Sequence, residues 1–205
     1  MTCYDGFMKN AIIVPGRTDR DEHYNPALTS NSNAHWYPWL SKQLIVKDIH
    51  AVVIEPPRAF QPRYNVWKKE FERFDIGPDT ILVGHSCGGG FLVRYLSENK
   101  DVKVGKVVLV APWLNPENNP VSEAADFFEF EIDPELVGRT AGVTIFVSDD
   151  DRETIQKSVA IIRKEIKDIG YKEFHGLSHF CWQPGFDEDL ESEEFPELFE
   201  ECLRP

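Results

Sequence analysis

Residues 81–96 read ILVGHSCGGGFLVRYL. The run divides into three pieces. Ile81–Val83 is apolar throughout and reads as a buried strand. Gly84-His85-Ser86-Cys87-Gly88 is a sharp turn, and Phe91–Leu96 continues as an apolar helix. A serine with a glycine two residues before it and another two after it matches G-x-S-x-G in the context that gives the pattern meaning: strand, turn, helix. The reason for the spacing is crowding. The serine must stand at the tip of the turn so that its hydroxyl projects into a cleft. The positions two before and two after then press together, which leaves room only for Gly84 and Gly88. Three consecutive glycines also carry a penalty, roughly 0.8–1 kcal/mol each relative to alanine in a helix interior. A chain that keeps Gly88, Gly89 and Gly90 there implies close backbone approach. Ser86 is the candidate nucleophile.

Outward from this turn, short apolar runs alternate with helical patterns. Asn10–Val14 ends in Pro15-Gly16, His50–Ile54 in Glu55-Pro56-Pro57, and Lys106–Val110 in Ala111-Pro112. Val143–Val147 ends in Ser148 and three aspartates, and Tyr171–Phe174 looks like a last strand. These runs are nearly all apolar, as in strands buried on both faces, which favours a parallel sheet. Helical spacing of apolar residues recurs in Trp36–Leu44, Tyr64–Phe74 and Glu153–Ile169, and again at Phe195, Leu198, Phe199 and Leu203. The alternation predicts a three-layer α/β fold, a mostly parallel central sheet flanked by helices, in one domain over residues 1–205. Two segments break the rhythm. Arg17–Ala34 is polar and reads as a loop. Asn115–Leu136 carries Phe127, Phe128 and Phe130 and is either a small cap over a pocket or a crossover with its aromatics in the core.

A serine hydroxyl needs a base to take its proton. The α/β-hydrolase arrangement supplies an acid and then a histidine, in the chain order Ser, Asp/Glu, His. The strand Val143–Val147 runs into Ser148-Asp149-Asp150-Asp151, where the orienting acid should stand. Asp151 is the first choice and Asp150 the second, with N-capping of the following helix as the alternative role for the others. The loop His175-Gly176-Leu177-Ser178-His179-Phe180 should hold the base. His179 lies deeper in that loop than His175 and precedes an aromatic, so it is preferred. His85 adjoins the serine, but the residue just before such a turn points away from the hydroxyl. An oxyanion needs two backbone N–H donors. These are expected from Cys87, the residue after the nucleophile, and from Arg17 in the loop after the first strand. Cys87 itself reads as a small spacer.

These residues resemble the retinoblastoma-binding protein 9 group of small α/β-hydrolases, from Ala11 to about Phe199. The resemblance rests on Ile12-Ile13-Val14-Pro15-Gly16, the aromatic cluster His35–Leu40, and Pro56-Pro57 through Trp67. It continues in Gly84–Gly88, Leu109–Pro112, Ser148–Asp151, Ser178-His179-Phe180, Gly185-Phe186 and Pro196-Glu197-Leu198. It implies a serine hydrolase with a small or absent cap, with Asp151 as the acid, His179 as the base and no cofactor. Esterase-like or aminopeptidase-like activity on a small molecule follows from the same resemblance. The chain departs from the group in a longer segment after Gly16, in Arg152-Glu153 after the acid, and in Ser178 before the histidine.

The formal net charge of -13 argues against a nucleic-acid partner. The charge is uneven: residues 187–205 hold nine acids against Arg204 alone, and that stretch reads as a solvated face ending in a helix over the sheet edge. No run of roughly 18 apolar residues occurs, so no membrane span is expected. The N-terminus lacks a basic and apolar leader, and Cys3, Cys87, Cys181 and Cys202 form no C-x-x-C pair, so a reduced, cytoplasmic protein is expected. Two other functions compete. One is an interaction module on a hydrolase scaffold whose triad is vestigial, binding a protein partner. The other is a metal site at His175-x3-His179, which lacks a third ligand and the helix that such spacing needs, so no metal is expected.

Overall fold

The computed structural model describes residues 9–115, 126–181 and 193–204. Its strands are β1 (Asn10–Val14), β2 (His50–Val53), β3 (Thr80–His85), β4 (Val107–Val110), β5 (Val143–Ser148) and β6 (Gly170–Phe174). All pair in parallel, in the order β2-β1-β3-β4-β5-β6. The central β3, β4 and β5 are buried at every residue, while the edge strands β2 and β6 are partly open. Nearly continuous apolar runs are what two covered faces require.

The helices are α1 (Arg20–His23), α2 (Tyr37–Ile45), α3 (Tyr64–Phe71), α4 (Cys87–Glu98), α5 (Glu153–Glu165) and α6 (Pro196–Cys202). From β1 the chain steps outward to β2. From β3 it steps the other way, to β4, β5 and β6. Right-handed crossovers therefore put α2 on one face and α4 and α5 on the opposite one. The ring contacts agree: Trp39 of α2 meets Phe199 of α6 at 6.3 Å, and Phe71 of α3 meets Phe91 of α4 at 5.3 Å. This is the expected three-layer sandwich.

The register aligns one edge of the sheet. Val14 pairs with Gly84, His85 with Val110, Val110 with Phe146, and Ser148 with Phe174. The carboxyl ends of β1, β3, β4, β5 and β6 thus lie side by side. Strand order reverses between β1 and β3, which is where open parallel sheets place their sites.

Several expectations change. Arg17–Ala34 is not all loop: it contains α1 and a 3₁₀ turn at Asn31–Asn33. The signal for α1 is Asp19-x-x-Glu22, a capping-box spacing. The described part of Asn115–Leu136 is a crossover with aromatics in the core. Phe127 is fully buried, 5.0 Å from the Trp67 ring. Residues 116–125 of that segment lie outside the described residues, as do Cys3, Gly185-Phe186 and the acidic run up to residue 192. The last helix covers a face, not an edge, since α6 packs on α2 and over β4. Nor is its acidity all solvated. Glu201 is buried, accepts from Thr144 Oγ1 at 2.7 Å, and is paired with Lys106 at 3.0 Å, Arg204 at 3.2 Å and Lys172 at 3.6 Å. Among the described residues, no helix is long and apolar enough to cross a membrane.

Candidate active site

Ser86 stands alone between β3 and α4 with φ 52° and ψ −118°. A non-glycine residue in this region is strained, and surrounding bonds must hold it there. They do: Ser86 N–H donates to Val110 O (2.9 Å), and Ser86 O accepts from Trp113 N–H (3.0 Å) and Gly90 N–H (3.1 Å). The motif glycines permit the packing. A Cβ on Gly84 would lie 2.7 Å from Gly88 O, and one on Gly88 would collide with the carbonyl oxygens of Val14 and Pro15. The N-terminus of α4 is therefore pressed against the end of β1. That contact brings Gly16 to the serine, so close that a Cβ on Gly16 would sit 3.6 Å from Ser86 Oγ.

The three aspartates after β5 divide the histidine loop among them. Asp149 accepts from the His175 ring (2.7 Å) and from Gly176 N–H (3.2 Å). Asp150 Oδ1 accepts from Ser148 Oγ (2.5 Å) and Ser178 N–H (2.9 Å). Asp151 alone faces His179, whose Nδ1 lies 2.8 Å from Oδ2 and 3.1 Å from Oδ1. Both partners are buried. Capping of α5 by Asp149 or Asp150 does not occur, because the N-cap is Arg152 and Asp151 itself accepts its amide at 2.7 Å. The pair of exposed groups, His175 and Asp149, shift one another: the carboxylate raises the imidazole and is itself lowered. Ser178 has φ 48°, a left-handed conformation that glycine adopts freely. The bond from its amide to Asp150 helps to hold Ser178 in that conformation.

The serine's neighbours form a second set of contacts. His85 Nε2 lies 2.9 Å from the backbone oxygen of His179, and His85 Nδ1 lies 2.5 Å from Tyr37 Oη. A carbonyl only accepts, so Nε2 carries the proton. Nδ1 then accepts from the tyrosine hydroxyl. Burial, with His179 and His35 as lesser causes, holds the His85 pKa well below the usual histidine value, in keeping with a neutral ring. Burial pushes the Tyr37 hydroxyl pKa well up, and the nearby Gly16 amide opposes that rise. Gly16 O accepts from the buried Asn31 Nδ2 at 2.8 Å. Because the peptide is planar and trans, fixing that carbonyl also fixes the direction of Arg17 N–H. The other expected donor, Cys87, opens α4, where an amide has no intrahelical acceptor. Burial pushes the Cys87 thiol far up, so it stays protonated, consistent with a spacer.

Ser86, His85, His179, Tyr37, Gly16 and Arg17 line one cavity of about 1030 Å³. Asp151 backs it, behind His179. The predicted residues thus come together, except that His175 is tied to Asp149 at the surface. Tyr37, Asn31 and the contacts of His85 were not legible in the sequence. Their roles depend on distant pairings, and no local spacing marks them.

A model of the family described as "Serine hydrolase" matches residues 12–188. The YdeN protein of Bacillus subtilis, named as a hydrolase, is 25% identical over 162 residues, covering 77% of this chain and 84% of its own. The crystal structure of that protein superposes with a TM-score of 0.73 over 94% of this chain and 95% of its own, at 22% identity. Est1E of Butyrivibrio proteoclasticus (TM-score 0.64, 13% identity, 96% and 89% coverage) and the monoacylglycerol lipase of Paleococcus ferrophilus (0.58, 16%, 94% and 93%) share the fold. Six parallel strands, helices on both faces and a serine at the tip of the β3–α4 turn agree with these likenesses, and the chain belongs to the serine hydrolase family.

Proposed function

We propose that this hydrolase cleaves an ester, thioester or amide of a small substrate through an acyl-enzyme at Ser86. The observation that carries the proposal is the buried His179–Asp151 pair in the wall of the cavity that Ser86 enters. With Nδ1 engaged by Asp151, His179 has Nε2 free to take the serine proton. Ser86 Oγ bonds to the carbonyl carbon as that proton moves to His179. The tetrahedral oxyanion lies against the N–H groups of Cys87 and Arg17. As the bond to the leaving group breaks, His179 returns the proton to it. Water then attacks the acyl-enzyme by the same route and releases the acid. Asp151 keeps the imidazole in the required tautomer and stabilises its cation. The motifs from Ile12 to Leu198 support placing the chain nearer the retinoblastoma-binding protein 9 group within the family.

The test is labelling with a fluorophosphonate and hydrolysis of a panel of 4-nitrophenyl esters and aminoacyl amides. Wild type should label at Ser86 and Ser86→Ala should neither label nor turn over. Absence of labelling in a folded wild type would leave the vestigial, partner-binding role instead.

A further inference from the structure

The cavity beside Ser86 is lined largely by polar and charged side chains, and these are not evenly arranged. Arg17 and Arg152 both line it, along with Ser86 and His179. They reach it from opposite sides, Arg17 from the loop after β1 and Arg152 from the N-cap of α5. Each guanidinium acts on a neighbour of the nucleophile: Arg17 opposes the rise of the Cys87 thiol, and Arg152 adds to the lowering of His85.

Neither cation has a close carboxylate partner among the described residues. Arg17 Nε is buried and has no hydrogen-bond partner, and Thr18 Oγ1 beside it is in the same condition. Buried donors are nearly always satisfied, and an orphan in a cavity wall calls for an acceptor from outside the chain. The nearest carboxylate, Asp19, is 3.9 Å from Arg17 Nη2 and 89% exposed, a pair worth little in water. Arg152 is exposed and has no carboxylate within 4.0 Å among the described residues. Asp19, Asp21 and Glu22 also line the cavity, but they belong to α1 and its cap, which bury no residue. Glu22 is further engaged with the Asp19 amide at 3.3 Å. These acids are exposed, as is Arg20 between them, which also lines the cavity; the orphaned donor, Arg17 Nε, is buried.

We propose that the site selects substrates whose acyl or leaving group carries a carboxylate, held between Arg17 and Arg152. The guanidinium fork suits a carboxylate better than a diffuse charge. The inference rests on Ser86 being the nucleophile, and it names the substrate class on which that serine acts.

Two esters that differ in one group test it: 4-nitrophenyl valerate and the mono-4-nitrophenyl ester of glutaric acid. The second has a carboxylate where the first has a methyl. After subtraction of the uncatalysed rate, wild type should favour the glutarate ester in kcat/KM by about tenfold or more at low salt, shrinking as salt screens the charges. The ratio of the two should fall toward unity in Arg152→Gln and in Arg17→Gln, and Arg152→Lys should recover part of it. Equal rates on the two esters in wild type, or a ratio unmoved by both glutamine variants, would overturn the proposal. A readout without turnover accompanies it: glutarate should slow fluorophosphonate labelling of Ser86, and neutral valeramide should not. Equal protection by both compounds would also overturn it. Failure of wild type to label at all would instead sink the serine-nucleophile reading, so the two failures are distinct.

Discussion

At the residue scale, three adjacent aspartates carry different loads because each meets a different atom of the histidine loop. Only Asp151 reaches an imidazole in the buried wall, at 2.8 Å. Asp151→Asn should therefore lower kcat by a factor of about 10⁴ with fold retained, as loss of the orienting acid does in serine proteases. Asp150→Asn, which keeps an acceptor for Ser178 N–H, should change kcat by less than about tenfold. The pair of variants, assayed on one ester, separates the two candidates that sequence order leaves open. Gly88 tells a similar story in backbone terms. Its side would be occupied by the Val14 and Pro15 carbonyls, so Gly88→Ala should cost about 3 kcal/mol or more in a urea titration. Sequence spacing identifies both glycines and the serine, because crowding at a turn is a local property. It does not identify which acid faces His179, because that choice is made by the path of a loop across two strand ends.

At the element scale, the site is assembled by fastening loops to one another. His85 joins the histidine loop to Tyr37 of α2, and Asn31 ties down the loop after β1 through Gly16 O. Tyr37→Phe deletes the donor to His85 Nδ1 while keeping the ring. The tie from the serine turn to the His179 backbone should loosen, and kcat should fall by about tenfold to a hundredfold with KM little changed, the pattern of an interaction felt mainly in the transition state. A fall in KM-dependent binding alone would argue instead for simple loss of pocket shape. The helix α6 is anchored by charge as well as by apolar contact. Glu201 meets cations from three other places, at Lys106, Lys172 and Arg204, and Lys106 is itself largely buried. Removing one partner of a buried pair leaves the other uncompensated, so Glu201→Gln should destabilise by about 2–4 kcal/mol, read from the urea midpoint. Composition alone made Glu201 one more solvated acid. Only the packing of α6 over β4 shows that it faces inward.

At the scale of the whole molecule, the half-buried His35 and the buried His85 contribute to the response to acid. Burial, with His179 adding to it, lowers the His35 pKa from 6.5 to about 4, and burial lowers His85 in the same direction. Both are neutral in the folded protein, while the unfolded chain takes up their protons below pH 6.5. The unfolded state thus binds more protons across this window, and stability is fully present above it and falls as pH drops from 6.5 toward 4. The urea midpoint should decline over that range, and His35→Gln should flatten the decline. A midpoint constant from pH 7 to 4 would show that neither ring is held neutral by the fold. The architecture was legible because parallel strands buried on both faces leave nearly unbroken apolar runs, and because a strand–turn–helix with tiny residues at fixed offsets records a local steric demand. Chain order then named Ser86, a carboxylate after β5 and a histidine after β6. The sequence by itself determined the fold class, the candidate nucleophile and the chain order of its candidate partners. The tertiary structure showed that Asp151, the first choice of the sequence, and not Asp150 meets His179, and it alone decided that Tyr37 and His85 tie the serine turn to its neighbours and that Arg17 and Arg152 line the cavity beside the serine. Those choices depend on which strand ends lie side by side and on what burial does to unpaired polar groups, and neither is written in any local stretch of the chain.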